Sequence, residues 1–368
     1  MKYDAIIVGA GISGATAANL IAQTGRKVIV IEQKKHPAGH CYDHKNDAGI
    51  IIHRFGPHIF HTKSKNVWDF VNKFADFHYY QHKVLSFANG NFINFPINRN
   101  TLNKVFGVDL SGSEVDDFLK QEVERSEFND PPKSFRDAVV SQVGETLYGM
   151  FYENYTRKQW NTNPDELSAE LAGRIPVRNN NDDRYFADQY QGIPLRGYTN
   201  MIENMLDHKN IHLLLGCDYF EIKNDLTAPL TVYTGELDRF FDHEYGKLTY
   251  RSLDIIFKTY DMASYQPAAV VNYPNDYDWV RISEYKKLTN SRSDKTTVSF
   301  EYPKDQGIPF YIVPNEKNFE LRKKYIEKVN KLEKTGEYIF TGRLAEYKYY
   351  NMDEAIEASM LKVMKILK

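Results

Sequence analysis

The sequence has little cysteine: Cys41 and Cys217 are the two in 368 residues. Two thiols without metal-ligand spacing exclude a disulfide framework and a structural zinc site, and they point to a reducing compartment. There is no basic run and no excess of one charge, since 47 Lys and Arg stand against 49 Asp and Glu. Nucleic acid is therefore not expected as a partner, because phosphate neutralisation needs clustered cations. No apolar run approaches the ~18 residues of a bilayer span, and the start Met1-Lys2-Tyr3-Asp4 lacks the regions of a signal peptide. No membrane insertion and a cytoplasmic location are expected. Internal repeats and low-complexity segments are missing too. Aromatic residues are plentiful, at 14% with 26 Tyr and 22 Phe, and tyrosine lines polar pockets as readily as cores. At ~150 residues per domain, the length predicts two to three domains.

The strongest local pattern lies in the first forty residues. Tyr3 to Val8 is a short apolar, β-branched run that ends at glycine, as a buried parallel strand does. Gly9-Ala10-Gly11-Ile12-Ser13-Gly14 follows, then the helical pattern Ala15 to Gln23 and a second strand, Lys27 to Ile31, closed by Glu32. In this strand-turn-helix-strand setting the first glycine makes the turn, the second admits a pyrophosphate, and the third lets helix and strand pack. Glu32 stands about 20 residues on, where a carboxylate accepts hydrogen bonds from ribose hydroxyls. Near the other end, Tyr338-Ile339-Phe340 leads into Thr341-Gly342-Arg343, and Asn351-Met352-Asp353 opens a helical pattern from Glu354 to Leu367. A second strand, glycine turn and helix start suits the electron-rich edge of a flavin, so FAD is expected rather than NAD. A plain capped helix would leave the same trace.

Between these ends, Ser113 to Glu170 carries helix-start signals, with Asp130-Pro131-Pro132 and Asn163-Pro164 as breakers, and reads as a helical insertion. Val84 to Phe95 and Thr231 to Tyr302 show aromatic and β-branched runs with period-two stretches, which predict an antiparallel sheet. Asn179-Asn180-Asn181-Asp182-Asp183 reads as a mobile loop. His53 and His61 have no Cys or carboxylate set beside them, and no metal is expected.

Several longer blocks carry a resemblance. His53-Arg54-Phe55-Gly56-Pro57-His58-Ile59-Phe60-His61-Thr62, Tyr155-Thr156-Arg157-Lys158-Gln159-Trp160, Arg174-Ile175-Pro176-Val177-Arg178, Tyr190-Gln191-Gly192-Ile193-Pro194, Tyr250-Arg251-Ser252-Leu253 and Gly342 to Tyr350 occur in order. With the N-terminal fingerprint, they resemble prokaryotic UDP-galactopyranose mutases. The resemblance implies an α/β fold with an N-terminal Rossmann-like FAD-binding domain, a helical insertion domain and an antiparallel β-sheet domain. The expected boundaries are 1–78, 186–228 and 315–368 for the discontinuous FAD domain, 100–165 for the helical domain, and 79–99, 166–185 and 229–314 for the substrate sheet. It further implies an isomerase that interconverts UDP-galactopyranose and UDP-galactofuranose for cell-surface polysaccharide. FAD would be active when reduced, through a flavin N5–sugar adduct without net redox change. NAD(P)H as reductant and a homodimer belong to the same implication.

The resemblance also distributes roles. Arg174 and Arg281 match the pyrophosphate arginines, whose bidentate donors suit the charge that develops as UDP leaves. His58 matches the histidine beside the flavin. Tyr155, Thr156, Trp160, Tyr185, Asn272, Tyr311, Tyr349 and Asn351 match substrate positions; Thr156 and Trp160, four apart, share one helix face. Cofactor contacts are expected at Gly9, Gly11, Ser13, Gly14, Glu32, Gln33, Gly39, His40, Pro57, His58, Asp218, Gly342, Arg343, Met352 and Asp353.

The chain departs from the usual pattern at several points. Asn179 and Asn181 stand where aromatics are common, Arg184 where asparagine is usual, Asn351 where aspartate is frequent and Thr341 where glycine lies beside the flavin. Asn272 to Val280 is about one residue short. The departures leave room for a pyranose–furanose mutase for UDP-N-acetylgalactosamine or a dTDP-deoxyhexose. The N-terminal unit and the C-terminal flavin segment are also compatible with a non-catalytic nucleotide-sugar binding module whose flavin is structural, and with a flavin oxidoreductase of the amine-oxidase type. The Arg174, Arg281, Tyr155 and Trp160 set distinguishes the last, because an amine has no diphosphate to bind.

Overall fold

The computed structural model describes residues 2–174 and 176–367; Met1, Ile175 and Lys368, and the side chain of Arg174, lie outside the described residues. Five parallel strands form the first sheet, in the order Ile211–Leu215, Val28–Glu32, Ala5–Val8, Leu230–Tyr233 and Tyr338–Phe340. Ala5–Val8 and Val28–Glu32 are buried throughout, as strands covered on both faces must be. Side-chain alternation divides them between two cores. Ala5, Ile7, Val28 and Val30 pack with the helices Ile12–Gln23, Tyr198–Leu206 and Met352–Leu367. Ile6, Val8, Ile29 and Ile31 pack with Tyr325 and Val329 of the helix Glu316–Glu333. Each such Ile or Val contributes about 1.5–3 kcal/mol on burial, so register along this sheet is strongly specified.

The helical unit follows the first strand pair of the second sheet. Asn98 and Ser134 cap the helices Arg99–Phe106 and Phe135–Tyr148, each through a reciprocal capping box with the residue three positions on. Between them stands Val115–Glu124, and after them Asn154–Trp160. Phe135, Val139, Val143, Leu147, Phe151 and Trp160 share one core with Phe95 and Val270 of the second sheet. This junction is what carries the helix Asn154–Trp160 to the sheet.

The second sheet has seven strands, ordered Tyr311–Ile312, Tyr250–Tyr260, Thr296–Lys304, Arg281–Glu284, Val270–Asn272, Val84–Ala88 and Asn91–Phe95. Every neighbouring pair is antiparallel except Val84–Ser86 with Val270–Asn272, which is parallel. The expected antiparallel sheet is therefore mixed at one joint. The strands Val84–Ala88 and Val270–Asn272 are far apart in the chain, separated by the helical unit, parts of the first sheet and the strand Tyr250–Tyr260, and a connection of that length allows a parallel pairing. A second correction concerns the expected start of this unit at residue 229. Leu230–Tyr233 is buried along its whole length and pairs parallel between Ala5–Val8 and Tyr338–Phe340. A short β-branched run carries no signature of which sheet it joins.

Candidate functional site

A cleft opens at the carboxyl ends of the parallel strands, where open α/β sheets place ligands. Its wall includes Gly9, Gly11, Ser13, Glu32, Gln33, Gly39, His40, His58, Asp218, Gly342, Arg343 and Met352, all expected from sequence. The helix Ile12–Gln23 starts here with no side-chain cap and no acid in its first turn. Its first N–H groups and the positive end of its dipole are thus available to a pyrophosphate. Gly14 does not line the cleft; a Cβ there would lie 1.9 Å from the Gly9 carbonyl oxygen, so it serves helix–strand contact. Gly342 adopts φ +98°, and a Cβ on it would reach within 2.7 Å of Ser13 Oγ. Glu32 Oε2 accepts from Ala10 N at 2.9 Å and Oε1 from Lys34 N at 2.9 Å. Both oxygens are held in place with a lone pair each for ribose hydroxyls.

The far end of the cleft is uncharged on one side. Burial holds the His40 imidazole well below its usual pKa, and burial, then His53, lowers His58 to about 3. His58 Nδ1 faces the Gly56 carbonyl at 2.8 Å, so Nδ1 carries the proton and Nε2 is left an acceptor. Arg343 supplies the cation. Its Nη1 donates to Phe310 O at 3.1 Å and its Nε to Tyr350 O at 3.2 Å. A glycine cradle for phosphate, a ribose carboxylate and a neutral planar end with one fixed cation together fit FAD.

Beyond Arg343 an aromatic box leads to the second sheet. Tyr311 and Tyr349 stack at 6.0 Å and 12°, Trp160 stands edge-on to both, and Arg343 lies 5.8 and 5.2 Å over their rings. Ser86, Asn272, Arg281 and Glu301 are successive cross-strand partners, which places them in one row on one face. Arg281 Nη2 donates to Tyr155 OH at 2.8 Å, and Nη1 lies 3.8 Å from Glu301 Oε2. Burial opposes the charge on Arg281, but Glu301 and Tyr155 outweigh it and hold the guanidinium protonated. Burial raises Glu301, with Arg281 and a Ser283 hydrogen bond opposing. Arg281 Nε is buried and has no hydrogen-bond partner among the described residues, leaving a donor for an anion.

The remaining expected residues fall around this core. Thr156 is buried on the helix that carries Tyr155 and Trp160. Tyr185 packs against Phe95 and His82, with its amide on His82 O at 2.6 Å. Asn351, expected at the substrate, lines the cleft and stands just before the helix Met352–Leu367, where its N–H donates to Glu354 Oε2 at 2.7 Å. Pro57 and Asp353 lie off the cleft wall, and the Asp353 carboxyl, raised by burial, bonds Thr62 instead. The Arg174 backbone ends the short helix Ala169–Arg174, and its side chain lies outside the described residues. The polar run expected to be mobile is docked: Asn179 Nδ2 reaches Asp116, Arg99 Nε reaches Asn181, and Asn98 Nδ2 reaches Asp182 O. Its amides match polar groups on the first two helices, which a reading for loop composition does not see.

Sequence reasoning gave no role to Glu301, Arg239 or Arg251, although Arg251 stands in the block Tyr250-Arg251-Ser252-Leu253. Arg251 is buried and donates through Nε to Gln159 O at 2.8 Å, while Arg239 lines the cleft and pairs with Asp218. A charged residue within a β-branched strand was the available signal for Arg251 and Glu301. No helix of the described residues is long and apolar enough to cross a membrane.

Comparison with known proteins bears on the same two regions. The UDP-galactopyranose mutase family profile matches residues 150–349, and an NAD(P)-binding Rossmann-like domain profile matches 7–74. The chain is 36% identical to the dTDP-fucopyranose mutase of Escherichia coli, over 97% of this chain and 98% of that one. It is 35% identical to a probable UDP-galactopyranose mutase of Klebsiella pneumoniae, over 96% and 92% respectively. In fold it is similar to a crystal structure of reduced UDP-galactopyranose mutase, with a TM-score of 0.79, 15% identity, and 100% and 96% of the two chains covered. Full-length likeness to mutases decides against the amine-oxidase reading, and the chain belongs to the UDP-galactopyranose mutase family of FAD-dependent isomerases.

Proposed function

We propose that the protein interconverts the pyranose and furanose forms of UDP-galactose. The observation that carries this is the Arg281–Tyr155 pair facing an aromatic box whose roof, Arg343, is also a wall of the dinucleotide cleft. A nucleotide sugar lying across the box brings its base to Tyr155, its diphosphate to Arg281 and its sugar to the cofactor end. Reduced FAD, when bound, supplies a nucleophile for the anomeric carbon. The chain's residues do the rest. Arg281, and Arg174 by its motif, hold the negative charge on departing UDP and keep it in place for return. Glu301 keeps the Arg281 guanidinium turned into the row, and Tyr311, Tyr349 and Trp160 exclude water while the sugar ring is open. His58 Nε2 offers a fixed proton acceptor at the cofactor end. A homodimer, NAD(P)H as reductant, a cytoplasmic setting and use of the product in cell-surface polysaccharide belong to the same proposal.

A dTDP-deoxyhexose is the second reading, favoured by Asn351 at the cleft and by the full-length likeness to a dTDP-fucopyranose mutase. The experiment is product analysis with dithionite-reduced enzyme on UDP-galactofuranose, UDP-N-acetylgalactofuranosamine and dTDP-fucofuranose. Conversion of the first to its pyranose form is expected. Conversion of another alone moves the substrate, and an oxidised sugar product overturns the mutase assignment.

A further inference from the structure

Tyr155 and Arg281 belong to distant parts of the chain, yet they meet at 2.8 Å. Three residues after Tyr155 on the same helix is Lys158. Its ammonium donates to three backbone carbonyls, Tyr273 O at 2.6 Å, Tyr277 O at 2.9 Å and Trp279 O at 3.4 Å. An ammonium has three donors and no acceptor, so Lys158 spends every proton on one loop. That loop joins the strands Val270–Asn272 and Arg281–Glu284, and it is itself closed by Tyr273 N on Val280 O at 2.8 Å and by Tyr277 stacked on Trp279 at 4.4 Å. Burial lowers the Lys158 ammonium to about 8, while Asp278 and Asp276 of the loop oppose that shift and attract the charge. A second strap runs beside it, Asn154 Nδ2 to Asn275 Oδ1 and Asn275 Nδ2 to Met150 O. Arg251 fixes the end of the helix from the other side, through Gln159 O and Lys158 O. Beside the Tyr155–Arg281 hydrogen bond itself, the helix bearing Tyr155 is thus tied to the hairpin bearing Arg281 by one lysine in a cage of carbonyls.

We propose that Lys158 is a positioning residue that presents Tyr155 and Arg281 as one preformed pair, so that base binding and diphosphate binding reinforce each other. This rests on the nucleotide-sugar reading above. The cage has no direct line to the cofactor cleft, and Lys158 lines no part of it. In its absence each group still exists, but each must be oriented anew by the ligand. Ordering one such side chain costs about a factor of ten in affinity. The loss falls on ligands that engage both groups and spares those that engage one.

The test uses FAD-loaded enzyme and paired probes, UDP with uridine and dTDP with thymidine, titrated by calorimetry. In Lys158→Met the diphosphate is expected to bind about 10- to 100-fold more weakly and the nucleoside less than about 3-fold more weakly, with FAD content and flavin spectrum unchanged. Steady-state rates should show the same loss in KM with a smaller one in kcat. Lys158→Arg, which keeps the charge but presents its donors in a flat fork, should fall between, and it decides the matter by the same ratio if the Met variant does not fold. Equal losses for nucleoside and diphosphate overturn the positioning role and leave the nucleotide-sugar reading standing. Failure of the unmodified enzyme to bind either diphosphate overturns both.

Discussion

The dinucleotide cleft and the row at Arg281 are built by opposite means. The cleft is made mostly of backbone: a strand end, uncapped helix N–H groups and glycines whose missing Cβ atoms leave room. Its core is one contiguous stretch, from Ala5 to Glu32. The row is made of side chains on four strands and a helix, and its neighbours Ser86, Asn272, Arg281 and Glu301 come together only through register. A site of backbone is sensitive to added volume, and a site of side chains to lost charge.

The sharpest way to break the comparison is at Arg281. Arg281→Ala is expected to lower turnover by about 10²- to 10³-fold, the usual loss for one oxyanion-stabilising donor, with FAD retained. It also strands Glu301 in the core, and an uncompensated buried charge is strongly destabilising. Adding Glu301→Gln should recover thermal stability without recovering turnover. Recovery of turnover, measured as furanose converted per second, would remove Arg281 from the chemistry. Gly14→Ala is the matching change in the cleft. Its Cβ would meet the Gly9 carbonyl at 1.9 Å, and forcing helix and strand apart should cost about 1–3 kcal/mol or more. The expected result is purified protein poor in FAD, while UDP affinity by calorimetry holds. Retained FAD would mean that the strand–helix contact has slack.

The same contrast governs what the sequence reveals. Gly9 to Glu32 was legible because its chemistry is local, and the helical insertion because helix-start signals and the breakers Asp130-Pro131-Pro132 and Asn163-Pro164 fall between Ser113 and Glu170. Leu230–Tyr233 was assigned to the wrong sheet since a four-residue run of apolar, β-branched and aromatic residues looks alike in either. Arg281 was given its role through the resemblance, but Glu301 and Arg251 were given none, because their meaning lies in partners distant in the chain, Arg281 across the sheet and the helix carbonyls of Lys158 and Gln159, that no spacing encodes. Asn351 was expected at the substrate from its neighbours in sequence, and the structure adds its place on the cleft wall, just ahead of the helix Met352–Leu367.

Acid should blunt both regions by one mechanism. Burial lowers His53, and burial followed by Arg281 lowers His82, each to about 3. Unfolded histidine titrates near 6.5, so between about pH 6.5 and 3 the unfolded chain binds more protons than the native one. Stability therefore falls as pH drops through that window, by up to about 1.4 kcal/mol per pH unit for each buried histidine. Melting temperature followed from pH 7 to 4 should show this slope. His53→Gln and His82→Gln should each flatten it, the first also disturbing FAD retention through His58, whose N–H donates to His53 Nδ1 at 3.0 Å. A slope unchanged in both variants would place the acid sensitivity elsewhere.

The smallest expected effect separates the two substrate readings. Asn351→Asp converts an amide that donates and accepts into a group that only accepts. A sugar hydroxyl can satisfy either, whereas a deoxy carbon satisfies neither and makes the carboxylate the costlier neighbour to desolvate. The variant should therefore shift kcat/KM toward UDP-galactofuranose over dTDP-fucofuranose, by about tenfold or less. Stability should hardly move, within about 0.5 kcal/mol. The new charge gains from the helix N-terminus but joins Asp353 and Glu354, already in that first turn. A ratio that does not change would assign sugar preference to the Arg281 row instead, and with it the task of telling one nucleotide sugar from another.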